Sequence, residues 1–467
     1  MPRTETDSLG SIEIDDARLW GPQTERARRL FRIGRERFPP ALIRAVGLQK
    51  QAAAEANLAL GELAEDIARP IIAAAAEIAA GERDAEFPLP VWQTGSGTQT
   101  NMNANEVIAN RANELLGQPR GSRAPVHPND HVNRGQSSND SFPTVMHVAA
   151  VETVQQRLVP ALAVLHASLA RRALEWDDIV KVGRTHMMDA VPVTLGQEFA
   201  AWARQVELGM ERLRGAMPRL LAVPQGGTAV GTGLNRHADF DRVFCERLAA
   251  LTGLPFTPNP NKFEGMGAHD AFVELSGVLN TIAVSLHKLG NDIRLLGSGP
   301  RAGIAELVIP ADGLSSSIMP GKTNPTQSEA LTMVCVQVMG NHVAVTIGAA
   351  QSFLELNVFK PLIIHNVLTS ADLLADAAAS FAHNMVDRLV PDRDRIAENL
   401  ARSLMLVTAL NPHIGYDRAV RIGKTALAEN ITLRDAAAKL GLVAPADFDR
   451  WVRPEAMVHP GASLPGG

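Results

Sequence analysis

One stretch near the middle of the chain constrains the fold more than any other, because its apolar residues repeat at the spacing of a helix seam. Successive apolar residues alternate between steps of four and three over eight steps. A helix of about thirty residues is roughly 40 Å long, which exceeds the core of one subunit, so we expect the seam to continue into an oligomer. The seam consists of Ala268, Phe272, Leu275, Leu279, Ile282, Leu286, Leu289, Ile293 and Leu296.

Related helical patterns occur elsewhere in the chain. Residues 195–220, 326–350 and 364–389 carry apolar stripes at three- and four-residue spacing. Only 4% of the residues are aromatic, and Ala and Leu are abundant, which favours helices over sheets. The sequence therefore predicts a mainly all-α protein built on a bundle of long helices.

Three domains are predicted along the chain. After Pro391 the charge density rises and the helical patterns shorten. We expect an N-terminal, mostly helical domain at 1–137, a central long-helix bundle domain at 138–391 and a small C-terminal helical domain at 392–467.

Composition bears on partners and location. The net charge is -5 with both signs spread along the sequence, which argues against a nucleic-acid or membrane surface. No uninterrupted run of 18 apolar residues is present, and residues 1–16 are acidic and polar, unlike a secretory or transit segment. Cys245 and Cys335 are the only cysteines and lie in apolar patterns, typical of buried thiols. A cytoplasmic location is expected.

Four polar segments interrupt the helical patterns, each near an expected helix end. Helix starts present free N–H groups and a positive dipole end, which suit carboxylates. A helix start is predicted within 136–143, where Ser, Asn and Asp precede a proline. These segments fit a small polyanionic substrate better than a nucleotide. They span 94–103, 127–139, 183–189 and 313–329.

The segment at 313–329 combines serine hydroxyls, glycines, Lys322 and Asn324. An ordinary loop between helices is one interpretation. A phosphate-binding loop is another, since Ser316 to Thr323 follows the pattern S-x-x-x-x-G-K-T. That pattern lacks its first glycine, and Pro320 removes a backbone N–H from the turn, so we disfavour it.

Histidines are the other candidates for chemistry. His186 is either an ordinary loop residue or a general acid/base, and the flanking Arg184 and Asp189 are interpreted as solvated charges or a local pair. His127 and His131 are four residues apart, a spacing that could bind a metal. Pro128 and Asn129 make a loop or helix start more plausible there, with no third ligand evident, so no metal is expected.

A dinucleotide turn at Gly95-Ser96-Gly97 is disfavoured because no apolar strand precedes it and the third glycine is missing.

Five motifs in order resemble those of the fumarase/aspartase superfamily, and within it those of class II fumarases. The resemblance extends over about residues 21–457. The motifs are Gly-Ser-Gly-Thr-Gln-Thr-Asn-Met-Asn at 95–103, His-Pro-Asn-Asp-His-Val-Asn at 127–133, Gln-Ser-Ser-Asn-Asp at 136–140, Gly-Arg-Thr-His at 183–186 and Ser-Ser-Ile-Met-Pro-Gly-Lys-Thr-Asn-Pro at 316–325.

The resemblance implies a reaction and its machinery. It implies a metal-independent hydro-lyase of the citric acid cycle that needs no cofactor. The implied reaction is the reversible anti addition of water to fumarate, which gives L-malate. Ser316 is implied as the base at carbon, and His186 with Glu329 as the acid/base for the hydroxyl or water. Alternatives are another superfamily lyase, such as aspartate ammonia-lyase, or a catalytically silent helical scaffold.

Further expectations follow from the same resemblance. The fold implied is the three-domain fumarase/aspartase fold, whose central bundle forms the core of a homotetramer with active sites shared between subunits. A second, allosteric dicarboxylate site is implied at His127, Pro128, Asn129 and Asp130. The implied substrate-binding residues are Ser96, Gly97, Thr98, Asn101, Ser137, Ser138, Asn139, Thr185, Ser317, Lys322, Thr323 and Asn324.

The sequence departs from the family pattern at two positions. Ser315 replaces the glycine that usually precedes the two loop serines, which narrows the backbone freedom of the loop. Ala124, with Arg123 beside it, occupies the position of an arginine in the second dicarboxylate site.

Overall fold

The computed structural model describes residues 2–313, 319 and 321–461 of the chain. Within these residues the protein is mainly helical, with 17 α-helices and only short two-stranded sheets. The predicted all-α class is therefore confirmed. Ser315, Ser316 and Ser317 lie outside the described residues.

The α-helices are α1 Pro22–Leu30, α2 Pro40–Ala59, α3 Glu65–Ala79, α4 Thr98–Leu115, α5 Ser138–Thr153, α6 Val159–Glu175, α7 Leu195–Leu220, α8 Phe240–Thr252, α9 Lys262–Gly267, α10 Asp270–Leu296, α11 Thr326–Ala350, α12 Lys360–Asn384, α13 Arg393–Arg402, α14 Asn411–Ile414, α15 Tyr416–Glu429, α16 Leu433–Lys439 and α17 Pro445–Trp451. Short 3-10 helices occur at Asp84–Glu86, Val386–Arg388, Leu404–Leu410 and Pro454–Ala456, and π-helical turns at Pro128–Val132 and Val154–Leu158.

The strands are β1 Pro2–Asp7, β2 Gly10–Asp15, β3 Val180–Thr185, β4 Met188–Thr194, β5 Ala222–Val223, β6 Thr257–Pro258, β7 Leu307–Val308, β8 Ser352–Phe353, β9 Leu356–Asn357 and β10 Val390–Pro391. Antiparallel pairs form between β1 and β2, β3 and β4, β7 and β10, and β8 and β9, while β5 and β6 pair in parallel.

The predicted seam lies on α10. Its residues from Phe272 to Leu296 are all buried, so the period of the apolar pattern correctly identified the inward face of the helix. Ala268, the first residue of the predicted seam, follows α9 and precedes α10. The seam is therefore slightly shorter than the sequence indicated.

Contacts group the chain into two compact units, each assembled from three segments. The first unit contains Met1–Pro160, Gly209–Ala283 and Cys335–Ala375. The second contains Ala161–Leu208, Val284–Val334 and Asp376–Gly467. The three sequential domains expected from the sequence stay a prediction.

Helix α11 has two apolar faces. One face buries Leu331, Cys335, Val338 and Val345. The other leaves a second row of apolar side chains more than half exposed, again at spacings that fit a helix seam. These exposed side chains are Met333 (68%), Val336 (57%), Val343 (57%) and Ile347 (56%).

Three described helical stretches are long and apolar enough to cross a membrane, by length and composition alone. They are Ser138–Glu175, Thr326–Ala350 and Lys360–Arg388. The sequence contains no uninterrupted run of 18 apolar residues, and these three stretches agree with that because polar residues interrupt each of them. In the first and third, 56% of the most apolar window is buried within the protein itself, whereas in Thr326–Ala350 only 33% is buried.

Buried histidines make stability depend on pH. His147 on α5 is 4% exposed, contacts the Leu220 carbonyl through Nδ1 at 2.7 Å, and meets the Phe272 ring edge-on. Burial lowers the pKa of His147 to about 4. Since the unfolded chain binds this proton near pH 6.5 and the folded chain does not, stability is full above pH 6.5 and is lost as the pH falls toward 4.

We expect His147→Gln to reduce the loss of thermal stability between pH 7.5 and pH 5. A buried neutral histidine costs about 1.4 kcal/mol per pH unit over this window, and glutamine has no such proton to bind. The measurement is the unfolding midpoint of both proteins at each pH. An equal loss in the variant would contradict the assignment.

Candidate active site

The predicted substrate segments at 94–103 and 136–140 meet in the first unit. Thr98 begins α4, and its hydroxyl lies 2.8 Å from that of Ser138 at the start of α5 and 2.7 Å from that of Ser96. Gly97 caps α4 with φ 78°, and an added Cβ would lie 2.3 Å from the Phe142 ring. Glycine is therefore required there for both conformation and space.

Helix α5 begins where the sequence predicted. The Ser137 hydroxyl accepts from the N–H of Asn139 at 3.2 Å, and the Asp140 carboxylate accepts from the N–H of Ser137 at 2.9 Å. This capping box fixes the first turn. Asn139 donates to the Ala229 carbonyl at 2.8 Å. The result is a rigid helix start that offers hydroxyl, amide and backbone donors to an anion.

Asp140 stabilises the start of α5 through hydrogen bonds to three backbone N–H groups. Its carboxylate, which is fully buried, also accepts from the N–H groups of Gly226 and Thr228, each at 2.9 Å. Burial raises the pKa of Asp140 to about 6, although the backbone donors from Ser137, Thr228 and Gly226 oppose that rise. Sequence reasoning recognised Asp140 only as a cap, because its partners at 226–228 are distant in sequence.

The turn at 94–98 is clamped by the segment that precedes α12. The Gly95 carbonyl accepts from the Lys360 N–H at 3.0 Å. A Cβ on Gly95 would lie 1.2 Å from the Val358 carbonyl oxygen. No substitution fits without moving one of the two backbones, and nothing in the local sequence signalled this close approach.

Asn101 is tied into an amide cluster. Its side-chain N–H group donates to Asn133 Oδ1 at 3.2 Å, and the same oxygen accepts from Asn105 and from the Lys50 ammonium, each at 3.2 Å. Asn133 belongs to a motif that the sequence singled out. Lys50 does not, since it lies in an alanine-rich helical stretch with no polar pattern.

In the second unit, Thr185 and His186 lie at the tip of the β3–β4 hairpin. Thr185 pairs with Met188, and the two central residues, His186 (φ 58°) and Met187 (φ 65°), both have positive φ. Two positive φ values define a type I′ turn, which disfavours side chains such as these. His186 is thus held in a strained and exposed position, a feature common at functional sites.

An ion cluster around the buried Glu306 holds strand β3 of this hairpin. Arg184 donates twice to Glu306, at 2.6 and 3.1 Å, and Lys181 lies 3.1 Å from Glu306 and 2.7 Å from Glu198. Burial would raise the pKa of Glu306, but hydrogen bonds from Arg184 and the charge of Lys181 hold it below its ordinary value. The interpretation of Arg184 as a solvated charge or a local pair with Asp189 was wrong, because a buried carboxylate 122 residues away binds it.

The remaining predicted residues of the second unit flank the start of α11. Lys322 is exposed, Thr323 and Asn324 are half-buried, and Glu329 lies exposed in the first turn of α11. Within the part of the chain that the structure describes, no hydrogen bond or ion pair joins His186 to Glu329. Ser316 and Ser317 fall outside the described residues.

The segment predicted as a second dicarboxylate site forms the π-helical turn Pro128–Val132. His127 caps it, because its Nδ1 accepts from the N–H groups of Asn129 (3.3 Å) and Asp130 (3.2 Å). His131 Nδ1 accepts from the N–H of His127 at 2.9 Å. In each histidine, Nδ1 therefore accepts hydrogen bonds from backbone N–H groups of this segment.

Comparison with known proteins places these features in context. The family described as "Lyase" matches residues 10–340, and that described as "Fumarase C C-terminus" matches residues 406–459. A fumarate hydratase class II from Methylorubrum extorquens is 56% identical over 98% of both chains. The mitochondrial fumarate hydratase of Danio rerio is 55% identical over 98% of this chain and 90% of its own.

A solved structure agrees with these sequence matches. The crystal structure of recombinant class II fumarase from Schistosoma mansoni has a TM-score of 0.96 and 42% identity, covering 99% of this chain and 100% of that one. The matches in sequence and in fold confirm the resemblance drawn from the motifs. The chain therefore belongs to the class II fumarate hydratases, a family of hydro-lyases.

Proposed function

We propose that the chain adds water reversibly, in the anti sense, to fumarate to give L-malate, as a step of the citric acid cycle, through Ser316, His186 and Glu329. The observation that carries the proposal is the placement of His186. It occupies the strained tip of a hairpin that is held next to the tip by the ion pair between Arg184 and the buried Glu306. Strain held in place by such support is typical of a catalytic position.

The first requirement of the reaction is to hold two carboxylates. We assign this to the α5 start, where Ser138 and Asn139 provide donors at the positive end of the helix dipole, with Thr98 and Asn101 beside them. Ser96, Gly97 and Ser137 shape the same surface. Thr185 and Ser317 are assigned as further contacts, and Lys322, Thr323 and Asn324 complete the set.

The second requirement is to remove a proton from carbon beside a carboxylate. The resulting aci-carboxylate carries extra negative charge, so preorganised donors and the Lys322 ammonium contribute most. Ser316 takes the proton in this scheme. Because a free serine is a very weak acid, its alkoxide needs stabilisation by nearby N–H groups or by Lys322.

The third requirement is proton transfer at oxygen. His186 protonates the departing hydroxyl of malate, or activates water in the hydration direction, with Glu329 as its carboxylate partner. A positioned acid/base of this kind contributes about 10²–10⁴-fold in rate. No step in this scheme uses a metal or a cofactor.

We further propose a homotetramer in which each site is shared between subunits. The hairpin tip that carries His186 exposes Met187 (70%) and Met188 (69%), and α11 exposes the row of four apolar side chains from Met333 to Ile347. Exposed apolar surfaces of this extent are typical of interfaces. In this assembly residues 138–391 form the shared bundle between the domains at 1–137 and 392–467. Glu329, the carboxylate partner of His186, comes from another copy of the chain.

The π-helical turn is proposed as the second dicarboxylate site, formed by His127, Pro128, Asn129 and Asp130. Its support is the resemblance of residues 127–133 to the family motif, whose turn His127 fixes by accepting from the N–H groups of Asn129 and Asp130. Ala124, in place of the family arginine, removes one cation from this site. The cytoplasmic location expected from the sequence stays a prediction.

We expect Ser316→Ala and His186→Asn each to lose most turnover of fumarate and L-malate while KM changes little. Each variant removes one proton-transfer group, which costs about 10²–10⁴-fold in kcat. The measurement is fumarate absorbance with purified, chelator-treated protein. Wild-type turnover in either variant would remove that residue from the mechanism.

Gly95→Ala tests the clamp on the substrate turn. The added methyl group collides with the Val358 carbonyl, so we expect displacement of Ser96 and Thr98 and a fall in kcat/KM of about 10²-fold. Gly215→Ala on α7, where no heavy atom lies within 4 Å of the added Cβ, is the matched control and should keep wild-type activity. Unchanged kcat/KM for Gly95→Ala would show that the clamp does not position the turn.

A further inference from the structure

A lysine ammonium is buried in the first unit without a carboxylate in ion-pair contact. Lys50 on α2 is 1% exposed. Its Nζ donates to Asn133 Oδ1 at 3.2 Å and to Gln136 Oε1 at 3.0 Å, both neutral amides. Among the described residues no carboxylate oxygen lies within salt-bridge distance of it. A buried cation compensated only by amide dipoles is unusual, because burial of an ionised group is costly.

The nearest charge cannot serve as a direct partner. Asp140 acts on Lys50 through its field, but its carboxylate is engaged by the N–H groups of Ser137, Gly226 and Thr228. Burial lowers the pKa of Lys50 to about 7, against the opposing influence of Asp140. An anion arriving nearby would therefore stabilise the ammonium form.

Lys50 also determines the orientation of the neighbouring side-chain amides. An ammonium can only donate, so Asn133 must direct its oxygen toward Lys50 and its N–H group toward the Gln136 carbonyl, 3.1 Å away. With the oxygen of Asn133 fixed, Asn101 must present its N–H group to it. The orientation of Asn101 is thus determined two hydrogen bonds away, by Lys50.

A second chain of contacts leads to the start of α5. The side-chain oxygen of Gln136 accepts a hydrogen bond from Lys50. Gln136 directly precedes Ser137, the N-cap of α5, whose first residues are Ser138 and Asn139. Gln49 donates to the same Gln136 oxygen at 3.0 Å. One branch therefore ends on Asn101, and the other ends on Gln136, the neighbour in sequence of the assigned Ser137.

We propose that Lys50 is a positioning residue that sets the amide orientations of the substrate surface and supplies the buried positive charge that selects a dianionic substrate. The inference rests on the proposed assignment of Asn101 and Ser138 to substrate binding. In this arrangement the second charge of the substrate compensates a cation that the protein leaves without a carboxylate partner.

The test compares Lys50→Gln, which keeps a donor but loses the charge, and Lys50→Met, which loses both. For each variant, KM and kcat for fumarate are measured, together with inhibition by dianionic succinate and by its monoanionic monoamide, succinamate. Arg69→Gln, which removes one exposed positive charge from α3 in the same unit, is the control. The unfolding midpoint verifies that each protein is folded.

We expect both Lys50 variants to raise KM and to weaken succinate binding about tenfold, with little change in kcat and a smaller loss of succinamate binding, because succinamate loses the amide positioning but not the compensation of a second charge. A purely structural role would weaken both inhibitors alike, and that result, or an unchanged KM in a folded variant, would overturn the inference. If Lys50→Met fails to fold, Lys50→Gln alone decides.

Asn101→Ala separates this inference from the function proposed above. If Asn101→Ala is impaired while the Lys50 variants are not, only the role of Lys50 fails. If Asn101→Ala keeps its wild-type KM, the assigned substrate surface is wrong, and the role of Lys50 falls with it.

Discussion

The burial of one row of apolar side chains on α10 is the constraint on which the structure depends. Each buried Leu, Ile or Phe of the seam contributes about 1.5–3 kcal/mol, and the row continues without a break from Phe272 to Leu296. The helix contributes its first half to one compact unit and its second half to the other. Polar segments lie at the ends of such helices, and some predicted site residues, such as Ser138 and Glu329, lie in the first turn of a helix.

Local patterns in the sequence predicted local structure well. The heptad spacing identified the buried face of α10, and the Ser-Ser-Asn-Asp segment identified the start of α5. What the sequence could not show are contacts between distant residues, such as Glu306 with Arg184, Val358 with Gly95, and Lys50 with Asn133. Each joins residues about 80 or more positions apart, and no local periodicity records such a pair. Arg184 was misinterpreted for this reason.

Buried polar and charged groups hold the predicted site residues in each of the two units. In the first unit, the buried Asp140 and Lys50 fix the backbone or the amides of the proposed substrate-binding residues. In the second unit, the Lys181–Glu306–Arg184 cluster holds the hairpin that carries His186. His186 lies at the tip of that hairpin and carries conformational strain that the cluster maintains. Preorganisation of this kind is what stabilisation of a developing negative charge requires.

The proposed sharing of each active site between subunits is tested most directly by mixing two inactive variants, on the expectation that Ser316 and His186 of one site come from different subunits. Ser316→Ala and His186→Asn proteins are unfolded together in equal amounts, reassembled and assayed for fumarate formation from L-malate. If the two residues come from different subunits, about a quarter of the sites regain both groups and activity returns to about that fraction of wild type. If one chain supplies both residues, the mixture stays as inactive as its parents, and the account of a shared site is contradicted.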